Sequence, residues 1–184
     1  MRRSPSQVKH LLGLGLLLLG MGSPALAVSP DLVISQVYGG GGNAGAPYNA
    51  DFVELFNRGT SAVSLGGKSI QYASSTGTTW AKFDLPALSL PAGKYALFQI
   101  SATGANGVAL PTPDGTASPI AMAAGAGKVA LVAGTTALSG SCPTGLIDFV
   151  GYGGANCSET AATSAPSATL SVLRTVWGLS PGLV

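Results

Sequence analysis

Apolar and polar residues alternate along the chain in short runs, four to eight long, separated by clusters of Gly, Pro, Ser and Asn. A period of two is the signature of a half-buried β-strand, and these runs are rich in the β-branched and aromatic types that suit a pleated surface. LVISQVY (32–38), DFVELFN (51–57), AVSL and KSIQYAS on either side of Gly66 and Gly67, and WAKFDL around Trp80 all read this way. So do YALFQI (95–100), KVALVAG from Lys128, LIDFVGYG from Leu146 and TLSVLR from Thr169. No long amphipathic helix is predicted; PIAMAAGAG near Pro119 offers at most one short helical turn. The pattern predicts an all-β fold, a two-sheet β-sandwich.

Alternation also names a core. Val53 and Leu55 fall on one side of their strand, with Phe52, Glu54 and Phe56 on the other; Ile70 and Tyr72 oppose Ser69 and Gln71. Val129 with Leu131, Ile147 with Phe149, and Leu170 with Val172 are the further inward pairs. LVISQVY stays ambiguous, because Leu32 and Ile34 compete with Val33 and Val37 for the same face. LPAG (90–93) reads as a reverse turn. Residues 101–127 read as a long connection, either a mobile loop or the host of one short strand.

The first 27 residues stand apart. A basic MRRSPSQVKH precedes the apolar LLGLGLLLLGM, and ALA (25–27) supplies a small-residue cleavage site, the composition of a secretory signal. An uncleaved membrane anchor is the competing reading; the eleven-residue apolar core, followed by Gly22 and Pro24, is short for a span. Cleavage after Ala27 would leave 157 residues, one domain's worth, with no membrane segment. Arg2, Arg3, Lys9 and His10 would leave with the signal, so the whole-chain charge of +2 becomes −1 from six basic and seven acidic side chains. No general basic field then remains to attract phosphates. His10 is the only histidine, so Ser-His-Asp, Cys-His and histidine-dependent metal chemistry drop out of the exported part. Ser-Lys and carboxylate-pair chemistry remain open, although no SxxK follows residue 27 and no acid pair has suggestive spacing.

Export bears on the two cysteines, Cys142 and Cys157, which stand fifteen apart. One disulfide is the simplest reading; free thiols or part of a metal site are the alternatives, and two cysteines without histidine make a poor zinc set.

The candidate chemistry gathers in YGGGGNAGAPYNADFVELFNRG (38–59). The glycine run lacks the lysine and hydroxyl of a phosphate loop and leads into a strand, so it reads as a flexible interstrand connector, with anion binding by a backbone nest as the rival. Asp51 and Glu54, three apart on a strand, point to opposite faces and do not converge on one substrate atom. Glu54 is expected on an outward face beside a cross-strand lysine. Asp51, Asp148 and Glu159 are the candidate calcium ligands, the one cofactor considered. Tyr48, Asn49 and Tyr152, with Asp51 and Glu54, are the candidate ligand contacts. The acceptor sequence Asn156-Cys157-Ser158 is read as incidental.

Four blocks, LVISQVYGGGGNAGAPYNADFVELFNRG, VSLGGKSIQY, LPAGKYALFQ and IDFVGYGGANCSE, make residues 30–166 resemble the lamin-tail domain in its bacterial secreted form. The resemblance implies an immunoglobulin-like sandwich and a secreted or periplasmic, non-catalytic binding or positioning module. Its partner would be a macromolecular surface or a secreted enzyme domain, since such modules are often N-terminal to endonuclease/exonuclease/phosphatase-type nucleases. It supplies no catalytic residues. The chain departs from the pattern in two places. Lys68 stands where relatives often carry tryptophan, and TLSVLRTVWGLSPGLV replaces an acidic, Asn-rich stretch and closing strand. The expected organisation is therefore a signal at 1–27, a lamin-tail domain at 28–170 and an atypical tail at 171–184, with truncation or a frameshift as readings of that tail. Two rivals accompany it: an orphaned accessory domain of a secreted nuclease that contacts nucleic acid through Lys68, Lys82, Lys94 and Arg174, and a hydrolase working through carboxylates.

Overall fold

The computed structural model describes residues 29–117, 119–174 and 182–183; the signal assigned to 1–27 lies outside them. Their fold is an all-β, immunoglobulin-like sandwich. In chain order the strands are β1 (Leu32–Tyr38), β2 (Phe52–Asn57), β3 (Val63–Ser64), β4 (Ser69–Ser74), β5 (Ala81–Asp84) and β6 (Ser89–Leu90). They continue with β7 (Tyr95–Gln99), β8 (Gly115–Thr116), β9 (Gly127–Val132), β10 (Asp148–Tyr152), β11 (Val172–Leu173) and β12 (Gly182–Leu183). One sheet runs β12-β11-β1-β2-β7-β8, the other β10-β9-β4-β5, and β3 pairs with β6. Pairing is antiparallel except between β7 and β8. The long connection thus holds one short strand, β8, while the segment after Pro119 bends without a helical turn.

The main core lies between the two large sheets. Val53, Leu55 and Phe98 come from one side, and Ile70, Tyr72, Val129 and Leu131 from the other, as alternation predicts. Leu32, Ile34 and Val37 all join this core, which strict alternation forbids. A β-bulge resolves the conflict: the β1–β2 register skips Ser35 between Ile34 and Gln36, so the inward face changes parity there. Two inward pairs need correction. In β10 it is Val150 and Tyr152 that face the main core, while Phe149 packs on the other side of the sheet with Ala73, Trp80 and Ala130. Leu170 is 40 % exposed, so of its pair Val172 alone is buried.

Phe149's neighbours reveal a third layer. Leu138, Leu146 and Cys157 pack over the outer side of the four-stranded sheet. Ser69 and Gln71, expected outward, are therefore buried and bonded to the covering chain at the carbonyls of Gly134 and Thr136. The Cys142–Cys157 disulfide, with Cα atoms 5.5 Å apart, fastens this cover.

The bulge is held from across the sandwich. The Asp148 carboxylate accepts from the Ile34 amide (2.6 Å) and from Arg174 Nη2 (2.8 and 2.9 Å). Arg174, just after β11, also donates Nε to the Ile34 carbonyl (3.0 Å) and its amide to the Ser35 carbonyl (2.8 Å). Both side chains of the ion pair are almost fully buried. Removing one partner of such a pair strands the other charge, at roughly 3–5 kcal/mol. Arg174→Met is thus expected to lose about that much stability in urea denaturation, whereas Lys82→Met, at a surface pair with Asp84, should change it by under ~1 kcal/mol. Equal effects would show that the buried pair does not hold the sheets together.

Candidate functional site

The glycine run is a packed junction and not the flexible connector expected of it. A Cβ on Gly41 would collide with the Ala50–Asp51 backbone. Gly42 has φ +74°, and a Cβ there would come within 2.5 Å of Gly104 Cα. The loop is tied by Asp51, whose carboxylate accepts from the amides of Gly41 (2.9 Å) and Met122 (2.8 Å). The Asp51 amide in turn donates to the Ser101 hydroxyl at 2.8 Å. Burial pushes the Asp51 carboxyl up from its ordinary range, and the two amides oppose that rise. Asp51 is a clip joining three segments; both of its oxygens are occupied.

Neighbouring candidates separate. Asn49 exchanges backbone bonds with Val108 and Gly104, and its Oδ1 is buried without a partner. Tyr152 is 1 % exposed and donates its hydroxyl to the Ala123 carbonyl at 2.9 Å. Desolvation holds that phenol protonated. Placed so, Tyr152 is a core residue without a surface for a ligand.

The proposed calcium ligands are not brought to one place either. Asp148 and Glu159 meet at Arg174, with Glu159 Oε2 3.5 Å from Nη2, while Asp51 is occupied by the glycine loop. No group of three or more His, Cys, Asp or Glu side chains suited to a metal occurs among the described residues. Glu159 Oε1 is buried without a hydrogen bond. Burial, followed by the charge of Asp148, raises the Glu159 carboxyl to about 7, with Arg174 pulling the other way.

Of the cations considered for nucleic acid, Arg174 is buried, Lys82 pairs with Asp84 at 2.5 Å, and Lys68 donates to the Ser64 carbonyl. Lys94 is exposed. Lys128, not singled out in the sequence, is fully buried: Nζ donates to the carbonyls of Gly77 and Ser141 and to Asn156 Oδ1, and lies 5.5 Å from the Trp80 ring centre. Burial lowers its pKa. Alternation puts Lys128 opposite Val129, but only the third layer makes that face an interior.

Tyr48 and Glu54 are the two candidates that meet at the surface. With Gln36, Phe52, Leu97, Leu110 and Pro111 they line a groove of about 160 Å³ on the outer face of the six-stranded sheet. Glu54 lies in register between Gln36 and Leu97, so the expected cross-strand lysine is absent. The Ser35 hydroxyl, set by the bulge, donates to Glu54 Oε1 at 2.7 Å. The Tyr48 ring packs edge-on against Tyr38 and Phe52. A wider cleft of about 360 Å³ lies between β5 and β8, where Phe83, Pro86, Ala117 and Pro119 form the apolar lining beside the Lys82–Asp84 pair. The smaller groove combines a fixed carboxylate with aromatic walls and holds one carboxylate rather than a pair.

The family model described as Lamin Tail Domain matches residues 26–154. No curated protein matches the chain. Among the described residues, no helix is long and apolar enough to cross a membrane.

Glu159 gives a pH dependence with a definite sign. Its folded pKa, about 7, lies above the ordinary 4.5, so the folded state binds this proton more tightly than the unfolded state. The stabilisation is complete below 4.5 and is lost as pH rises through about 7. Asp51 shifts in the same direction. Thermal melts at pH 5 and pH 8 should therefore show Glu159→Gln with the smaller pH dependence and, at pH 8, a Tm higher than the unsubstituted protein by a few degrees, at roughly 2–4 °C per kcal/mol. Parallel curves would remove Glu159 as the responsible group.

Proposed function

The chain belongs to the lamin tail domain family, and we propose that it works as an exported, non-catalytic binding module that holds a macromolecular partner at the cell exterior. The observation that carries this reading is the division of labour among its acids. Asp51 and Asp148 are fully engaged inside the fold, whereas Glu54 opens onto the groove with Tyr48. A hydrolase working through paired carboxylates would need a second acid in the groove, and the other lining residues are an amide, a phenol and apolar side chains. Export is supported by the signal-like leader and by the paired Cys142 and Cys157, a bond that persists in oxidising compartments. The nuclease-accessory reading is disfavoured by the burial of Arg174 and the pairing of Lys82.

Purified residues 28–184, with the disulfide intact, should give no turnover of phosphodiester or glycan substrates above a buffer blank in calcium or magnesium. Turnover that Glu54→Gln abolishes would sink the non-catalytic reading. Duplex DNA binding that weakens steeply with added salt would favour the nuclease-accessory module instead.

A further inference from the structure

Resting on the reading of the groove as a binding surface, we propose that it receives a lysine or arginine side chain from an extended segment of a partner protein. Three observations converge on a cation. Glu54 is the single charged residue of the lining, so the groove carries a net negative charge with no cation of its own. Ser35 holds Glu54 Oε1, so the carboxylate is oriented before any ligand arrives. Gln36 donates one Nε2 proton to Ser171 at 2.7 Å, and its amide oxygen, which accepts no bond among the described residues, can join Glu54 in accepting from a cationic donor.

The walls suit the rest of such a side chain. Tyr48 and Phe52 present aromatic rings, which attract cations electrostatically, and Leu97 and Leu110 can cover a methylene stem. A volume of about 160 Å³ is below that of pockets for whole small molecules, on the order of 300 Å³ or more, and accommodates one long side chain. Two residues along β2 on the same face, Phe56 stacks on the half-exposed Tyr95 with ring centres 4.5 Å apart. Alternate side chains of an extended peptide are spaced about 7 Å apart, so a basic residue in the groove would set an apolar one, two positions away, against this pair.

The test uses the tripeptides Ac-Gly-Lys-Gly-NH2 and Ac-Gly-Arg-Gly-NH2, with norleucine and citrulline as uncharged counterparts, titrated into residues 28–184 and followed by NMR at Tyr48, Phe52 and Leu97. The basic peptides should bind with millimolar Kd, about tenfold more tightly than their counterparts, and lose that advantage in ~0.5 M NaCl. Glu54→Gln keeps an oxygen for Ser35 and should erase the difference between charged and neutral peptides. Tyr48→Leu should weaken all four. Neutral peptides that bind as well as basic ones, yet depend on Tyr48, would overturn the cation claim and leave the groove as a binding surface. No shift at any of the three residues would overturn both.

Discussion

The buried pair of Asp148 and Arg174 is the constraint on which most of the architecture turns. Withdrawing both charges from water is costly, and the Coulombic attraction offsets that only when the remaining lone pairs and protons are also engaged. Here Asp148 takes the Ile34 amide as well as the guanidinium, and Arg174 returns its Nε donor to the Ile34 carbonyl. The pair thereby fixes β10 of one sheet, β1 of the other and the chain leaving β11 in a single arrangement. Its closest geometric consequence is the bulge, since both backbone groups of Ile34 and the Ser35 carbonyl are bonded to it.

From the bulge the effects run outward in both directions. On the inner side it lets Val37 join Leu32 and Ile34 in the core. On the outer side it frees Ser35 from pairing and points its hydroxyl at Glu54, which sets the carboxylate at the groove. A binding surface on a sheet is more exact than one on loops because neighbouring side chains inherit their spacing from the ladder. The fixed groove and the satisfied core are thus two results of one irregularity.

The longer strands and most of the main core were legible in the sequence because a two-residue period survives in single strands such as Phe52–Asn57; the order of strands in the sheets was not, because alternation carries no information about which strands pair. The first three blocks that resemble lamin-tail domains, and the fourth as far as Gly154, lie within the family match over residues 26–154. The failures have a common physical origin. Alternation assigns a face but cannot tell whether that face is covered. The layer formed around Leu138 and Cys157 covers the outer side of β4, β9 and β10, turning Gln71, Lys128 and Phe149 into interior residues. A run of glycines likewise carries no record of what approaches it. Flexibility was inferred from composition, whereas the close passage of residues 50 and 104 makes the absence of Cβ a packing requirement.

Lys128 shows how the third layer remains compatible with a polar sequence. An ammonium in that position would be untenable against an apolar cover, yet the loops over it supply two carbonyls and an amide oxygen, and the Trp80 ring lies alongside. Two of those acceptors, on Ser141 and Asn156, directly precede Cys142 and Cys157, so the disulfide holds in place the oxygens that solvate the cation. Charge burial and covalent closure therefore support each other: the crosslink keeps the acceptors assembled, and the cation gives those loop carbonyls a partner beneath the cover. A chain with few charged residues has placed several of them inside the fold as fasteners. Glu54, by contrast, is oriented by Ser35 and lines the groove on the outer face of the sheet.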